Sequence, residues 1–412
     1  MICGTSLGGT VTPEEATTLA AAARPSAFER VRTLVGIESP TGDRAASERI
    51  TALIADWFAP LGEVQRIEVE AGVHLVIDVP GVDAGAAAEG AAGSAGAAPD
   101  AGRAGASTEA PLLVVGHTDT VWPAGTLDGE LPWSVDGDTV TGPGVFDMKS
   151  GIVVALTALE LLADRPRRPV RLVLNCDEEI GSPSSAELVV AEARRASAVI
   201  AFESPHPDGA LKVGRAGSTR VRLAVHGRSA HAALDPEAGI SAIDELVDQL
   251  LAVRRIVDDT HAAGGRVLCN IGTITGGTRA NVVPDEAAAE IGLRFFDGDT
   301  EERVLTALAG LTPVRAGARL DVETLSRRPA WAATDADRAL LTGLEACASA
   351  LGHPLGGRPA AGAGDANLTG AAGVPTVDGL GPRGGGAHAP GEHMSLASFE
   401  ERIALVTLLF AR

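Results

Sequence analysis

The chain has no tyrosine, and aromatic residues make up only 3% of its 412 positions. Platforms for stacking bases are therefore scarce, and no basic stripe with interleaved aromatics replaces them. Positive charge is also short: 34 Lys and Arg against 54 Asp and Glu leave a formal net charge of −20. Phosphate backbones would be repelled by such a protein, which argues against nucleic acid as a partner. Cysteine is limited to Cys3, Cys176, Cys269 and Cys347, far apart and without the paired spacing of a thiolate metal site. Reduced, packed thiols in a cytoplasmic protein fit that usage. No uninterrupted apolar run reaches the length of a membrane span, so no membrane partner is expected. The opening MICGTSLGGTVTPEEA lacks the basic start and apolar stretch of a signal peptide.

What is present describes a folded, two-part α/β chain. A hydrophobic content of 45% excludes global disorder, and the length exceeds one ordinary core. Thr12-Pro13-Glu14-Glu15 supplies a cap, a first-turn proline and early acids for a helix. Apolar spacing predicts helices to about Val35 and over Ala45–Phe58, then a strand pair at Glu63–Glu70 and His74–Val79. Residues 82–110 are nearly all Ala, Gly, Ser, Asp and Glu, with too little apolar surface to offset their ordering entropy. A flexible surface insertion is expected there. Strands at Leu112–Gly116, Val170–Cys176 and Ala198–Phe202 alternate with helices at Ser150–Ala163 and Pro183–Ala196. That alternation predicts a mostly parallel or mixed sheet with its site at the strands' carboxyl ends.

From about residue 217 the pattern changes. A strand at Thr219–His226, a helix at Pro236–Val257, strands at Arg266–Thr275 and Glu286–Phe296, a helix at Thr300–Gly310 and a strand at Ala318–Glu323 follow in turn. The order βαββαβ fits a ferredoxin-like sandwich. The predicted organisation is a catalytic domain at 1–216 and 323–412, interrupted by a small domain at 217–322.

Chemistry concentrates where strands end. His117 and Asp119 lie in VVGHTDT, Asp147 in GPGVFDMKSG, Glu178 and Glu179 in NCDEEIGS, Glu203 in AFESP and His388 in GGGAHAPGE. A Glu-Glu pair alone is usually a solvated turn, and one histidine in a Gly-rich loop means little. Two histidines with several carboxylates, each closing or following an apolar run, are what two divalent cations need. Oxygen and imidazole donors without thiolate suit zinc, cobalt or manganese, and such a pair hydrolyses stable bonds. The residues read as a metal-dependent hydrolase.

GHTDTVWP, GPGVFDMKSG, DEEIGS, HGRSAHA and GGGAHAPGE occur in the order found in the M20 family of metallopeptidases. The chain resembles that family, especially its glutamate carboxypeptidase-like members, over nearly its whole length apart from the Ala/Gly stretch. The resemblance implies metal ligands His117, Asp147, Glu179, Glu203 and His388, with Asp147 bridging two ions, His117 beside Glu203 and His388 beside Glu179. It implies Glu178 as general base, Asp119 as the residue orienting His117, and His231 of the small domain as a substrate contact. It also implies a homodimer through residues 217–322. His388 is preferred over His393 because the family spacing of His, three residues and Glu selects His388 with Glu392.

Substrate residues are less marked. Arg294 in EIGLRFF and Asn281 in GGTRANVVPD match substrate-holding positions of relatives, and Arg294 is suited to pairing with a carboxylate. Asn367 in GDAN resembles a loop near the family's pocket, although Gly364 stands where Ser is frequent. Glu203 in place of Asp goes, in this family, with carboxypeptidases and aminoacylases. The expected activity is release of a C-terminal glutamate-like amino acid from an amide or peptide. An N-acyl amino acid deacylase of the same fold and a non-catalytic ligand-binding relative are the alternatives.

Overall fold

The computed structural model describes residues 11–83 and 109–411. Residues 84–108 of the predicted insertion, and Cys3, lie outside them. The described residues divide into two compact units, one within Met1–Val213, Ala333–Ala360 and Leu368–Arg412, the other within Gly214–Ala332 and Ala361–Asn367.

The first unit opens with helix Pro13–Gly36, where the Thr12 side chain accepts from the Glu15 N–H and Pro13 fills the first turn. Helix Arg44–Phe58 is capped in the same way by Asp43. Eight strands form one sheet in the order Glu63–Val69, Gly72–Val79, Val170–Asn175, Leu112–His117, Ala198–Ala201, Thr376–Asp378, Leu211–Arg215 and Gly357–Ala360. The four strands from Val170–Asn175 to Thr376–Asp378 run parallel, and antiparallel pairs flank them. Strand Leu112–His117 is buried along its whole length, as expected for a central strand covered on both faces. Helix Ser150–Leu161 is buried from Ser150 to Leu159 and packs against Pro13–Gly36 and Leu396–Phe410. A second, four-stranded sheet joins Gly384–Gly385, His393–Ser395, Thr139–Thr141 and Ser134–Asp136, and it fixes the ends of the loop that carries His388.

In the other unit four antiparallel strands lie in the order Val267–Gly276, Glu286–Phe295, Gly217–His226 and Arg319–Arg328. Helices Ala242–Ala262 and Gly298–Ala309 cover one face through Leu246, Leu250, Val253, Val304 and Leu308.

Several sequence boundaries shift for local reasons. The helix expected at Pro236–Val257 is a single turn, Pro236–Ala238, followed by Ala242–Ala262. Ser241 accepts from the Asp244 N–H and so starts the helix later than Pro236 suggests. The helix expected at Pro183–Ala196 shortens to Ala186–Ala193, because Ser182, Ser184 and Ser185 are engaged in an Asp177-centred turn. The last small-unit strand runs on to Arg328 past a register shift at Thr324/Ser326. Its polar edge residues end the apolar alternation before the strand itself ends.

Candidate metal centre

Five side chains from five segments meet beyond the carboxyl ends of the parallel strands. His117 ends strand Leu112–His117. Its Nδ1 donates to the backbone carbonyl of Asp119 at 2.9 Å, which leaves Nε2 as the ligand face. Nε2 lies 3.2 Å from Asp147 Oδ1 and 3.5 Å from Glu203 Oε1. The other oxygen of Asp147, Oδ2, lies 3.3 Å from His388 Nε2, and Glu179 Oε2 lies 3.1 Å from that same nitrogen. Asp147 thus stands between the two imidazoles, with one carboxylate partner on each side. Glu178 offers an oxygen within 4.8 Å of ligand atoms of His117 and Glu203.

Each residue is positioned by its backbone. Asp147 sits in the irregular turn Val145–Lys149, which enters the buried helix Ser150–Leu161. Gly144 opens that turn at φ +73, where an added Cβ would come within 2.6 Å of Thr120 Cγ2. Glu178 and Glu179 lie in the single turn Glu178–Ile180. Asp177 ties this turn down by accepting from Ser184 N, Ser184 Oγ and Ser185 Oγ. His388 adopts φ +60, uncommon for a residue with a Cβ, inside the hairpin held by Gly385↔His393. His393 belongs to that hairpin, with Nδ1 on the Gly391 carbonyl, and takes no place in the cluster.

Asp119 lies against both His117 and the glutamate turn. Its carboxylate is 3.4 Å from His117 Nδ1, farther than its own carbonyl. The carboxylate oxygens accept from Glu178 N at 3.3 Å, Glu179 N at 3.2 Å and Thr41 Oγ1 at 2.7 Å. It therefore couples the histidine to the glutamate turn. Sequence reasoning singled out neither Thr41 nor the work of Glu392. The buried Glu392 carboxylate accepts from Trp122 Nε1 at 2.5 Å, Gly144 N at 3.1 Å, Phe146 N at 2.9 Å and Asp147 N at 3.1 Å. Burial pushes its pKa up, against these four donors. Its spacing after His388 was visible, but its partners come from residues 122–147 and only folding shows them.

The donor set fits two divalent cations. Two ligands bonded at about 2.1 Å to a tetrahedral ion are about 3.4 Å apart, and the four imidazole–carboxylate separations run from 3.1 to 3.5 Å. Among the described residues, the ion-pair partners of Asp147, Glu179 and Glu203 are these two imidazoles. Glu179 Oε1 is buried and has no hydrogen-bond partner among the described residues. The electrostatics point the same way. Burial opposes a charge on His117, yet Asp119, Asp147 and Glu203 outweigh it and hold the imidazole well above its ordinary range. Asp147 and Glu179 raise His388 to about 10, against partial burial. Burial would raise Asp147, but both histidines hold it well below the usual carboxylate range. Burial raises Glu179, with His388 opposing. This negative potential attracts protons to the imidazoles, and bound cations would take their place. The cluster is a dinuclear metal site.

The proposed substrate residues lie in the other unit. His231 is exposed, and its Nδ1 accepts from Ala233 N and Leu234 N, so a neutral ring carries its proton on Nε2. Asn281 is exposed, and its carbonyl accepts from Ala232 N. Arg294 is exposed and donates to Ser218 Oγ at 2.6 Å. Asn367 corrects an expectation. It is fully buried, its Oδ1 accepts from Gly364 N, and its Nδ2 faces the carbonyls of Arg215, Ala216 and Pro329. That amide holds backbone together and is not available to a substrate.

Replacing Glu392 with Gln should turn an NH2 group toward N–H donors and loosen the Asp147 turn. Metal affinity should fall roughly 10–100-fold, as for other partners that orient ligands. Competition with a chromophoric chelator measures it, and unchanged affinity would show that Glu392 does not position Asp147.

A family model described as Peptidase family M20/M25/M40 matches residues 113–412. Carboxypeptidase G2 of Pseudomonas sp. (strain RS-16) is 28% identical over 306 residues, 72% of this chain and 72% of that protein. The putative succinyl-diaminopimelate desuccinylase DapE of Mycobacterium tuberculosis (strain CDC 1551 / Oshkosh) is 30% identical over 277 residues, 65% of this chain and 73% of that one. Against several further relatives, probable carboxypeptidases of Arthroderma and Aspergillus, the match spans less than half of either chain. Among solved structures, aminopeptidase PepT from Bacillus cereus ATCC 10987 shares the fold, with a TM-score of 0.68 at 20% identity over 94% of this chain and 98% of that one.

Proposed function

The chain belongs to peptidase family M20/M25/M40, and from that premise we propose that this dinuclear metallohydrolase is a carboxypeptidase releasing a C-terminal glutamate-like residue. Hydrolysis rests on one observation, the Asp147 carboxylate set between His117 and His388 with Glu203 and Glu179 beside them. The carboxypeptidase reading is supported by the likeness to carboxypeptidase G2 over 72% of both chains and by Glu203 standing where aminopeptidases of the family favour Asp. Zinc is the proposed metal, with cobalt or manganese suited to the same donors. When bound, such ions supply Lewis acidity and bring the pKa of water toward neutrality.

Glu178 takes the proton from the attacking water and returns it to the departing nitrogen. Its neighbour Glu179 is turned toward His388, so the two adjacent carboxylates divide the work. Arg294 pairs with the substrate carboxylate, Asn281 helps to hold the chain, and the Nε2–H of His231 donates to the developing oxyanion. Glu178→Gln should keep both metals and lower turnover by roughly 10²–10⁴-fold, the usual value of general acid–base help. Loss of metal in that variant would instead make Glu178 a ligand.

A second reading has its own support. The likeness to the putative desuccinylase DapE favours an N-acyl amino acid deacylase. Comparing kcat/KM for N-blocked dipeptides ending in glutamate with that for N-acetyl and N-succinyl amino acids separates the two. Higher values for glutamate-terminated peptides are expected, and the reverse order would select the deacylase.

The second unit is read as a ferredoxin-like lid that also forms a homodimer. Strand Val267–Gly276 is a sheet edge paired on one side only, with Leu268 and Ile274 exposed. Ile243, Val247 and Leu251 make an exposed apolar row at four-residue spacing on helix Ala242–Ala262. An open edge beside an apolar row invites a second copy. Val247→Glu combined with Leu251→Glu should give monomers in analytical ultracentrifugation, and an unaltered dimer would place the interface elsewhere. If His231 serves the partner's site, mixing inactive His231→Ala and Glu178→Gln chains should restore activity once subunit exchange is shown. Exchange without recovery would remove that role.

A further inference from the structure

Away from the metal centre, the first unit contains a buried cation without a carboxylate of its own. Arg402, on helix Leu396–Phe410, is 4% exposed. Its Nε donates to the Gly381 carbonyl at 3.1 Å and its Nη2 to the Gly209 carbonyl at 2.8 Å. Nη1 has no acceptor among the described residues. The guanidinium lines a cavity of about 190 Å³ together with Arg383, His353, Glu401 and Asp208. Burial, reinforced by the nearby charge of Arg383 and opposed by Glu401, lowers the pKa of Arg402 to about 10. An enclosed charge with only neutral acceptors is costly, and a counter-ion relieves that cost.

The carboxylates on the wall are already committed. Glu401 pairs with Arg383 Nη2 at 3.0 Å, and Asp208 takes two hydrogen bonds from Arg358 at 2.8 and 3.0 Å. Arg383 Nη1 is left without an acceptor among the described residues. Asp208 is neutralised by Arg358, which lies outside the lining, and Glu401 by Arg383, so no carboxylate is left to pair with Arg402. The cavity, at about 190 Å³, is well above the roughly 10–15 Å³ that one water needs, enough for a small polyatomic ion.

We propose that this cavity binds a small oxyanion, a free carboxylate or inorganic phosphate, between the guanidinium groups of Arg402 and Arg383. The site has a path to the metal centre. Gly381, whose carbonyl accepts from Arg402, donates its N–H to the Glu203 carbonyl at 3.0 Å.

The test is calorimetric titration of the full-length, metal-loaded protein with inorganic phosphate and separately with acetate, at ionic strength held constant with chloride. Saturable binding of either ion at one site per chain is expected, and which ion binds identifies its source. Arg383→Gln should weaken binding about tenfold or more, the scale of one charge-assisted hydrogen bond. Arg402→Met should abolish it. If Arg402→Met fails to fold, Arg383→Gln decides alone. No saturable heat in the wild type, or equal affinity in Arg383→Gln, would overturn the site. Binding that persists in Arg383→Gln but vanishes in His388→Ala would be phosphate on the metal centre, and would also overturn it.

Discussion

Asp147 touches both imidazoles of the centre, and much of the first unit serves to keep its carboxylate among others of the same sign. Two like charges about 4 Å apart repel by about 4 kcal/mol at an effective dielectric constant of 20, and here Asp147, Glu178, Glu179 and Glu203 crowd together. Such a cluster persists only where rigid donors hold each member. Glu392 fixes the Asp147 turn through Gly144, Phe146 and Asp147 N–H groups. Asp119 fixes the turn of Glu178 and Glu179, and Asp177 braces the same turn from the other side. Glu392 and Asp177 hold backbone away from the imidazoles, whereas Asp119 accepts from the glutamate turn while lying 3.4 Å from His117 Nδ1, so ligand geometry does not rely on loop stiffness alone.

The parallel strands set the scale of the arrangement. Leu112–His117 lies between Val170–Asn175 and Ala198–Ala201, so the segments that follow all three emerge at one edge of the sheet. The irregular turn that enters a core-anchored helix then carries Asp147, and a hairpin near the chain's end brings His388. A buried lysine completes the surround. Lys149 donates to the Ile37 carbonyl and is lowered to about 8 by burial, with Glu392, Glu38 and Asp119 opposing. It supplies positive charge behind the Asp147 turn without occupying the ligand face. No helix among the described residues is long and apolar enough to cross a membrane.

Much of this was legible in the sequence because it is local. The Thr12 cap, the apolar run before His117 and the small-unit strand alternation each act within a few residues. The ligand types were legible too, since a hydrolytic pair of cations needs oxygen and imidazole donors and these stood at strand ends. Boundaries were less legible wherever polar side chains served the backbone, as at Ser241, at the serines around Asp177 and along the edge strand to Arg328.

By itself the sequence determined the α/β alternation and the acidic and imidazole donor set. Tertiary structure alone decided that His388 faces Asp147 from 241 positions further along the chain. It also decided that Glu392 acts through backbone donors, that Asn367 is enclosed and that Arg402 lines a cavity while its hydrogen bonds go to carbonyls. The physical reason is the range of the forces. Helix caps and periodicity act between near neighbours, whereas burial and charge pairing depend on which distant segments share a space.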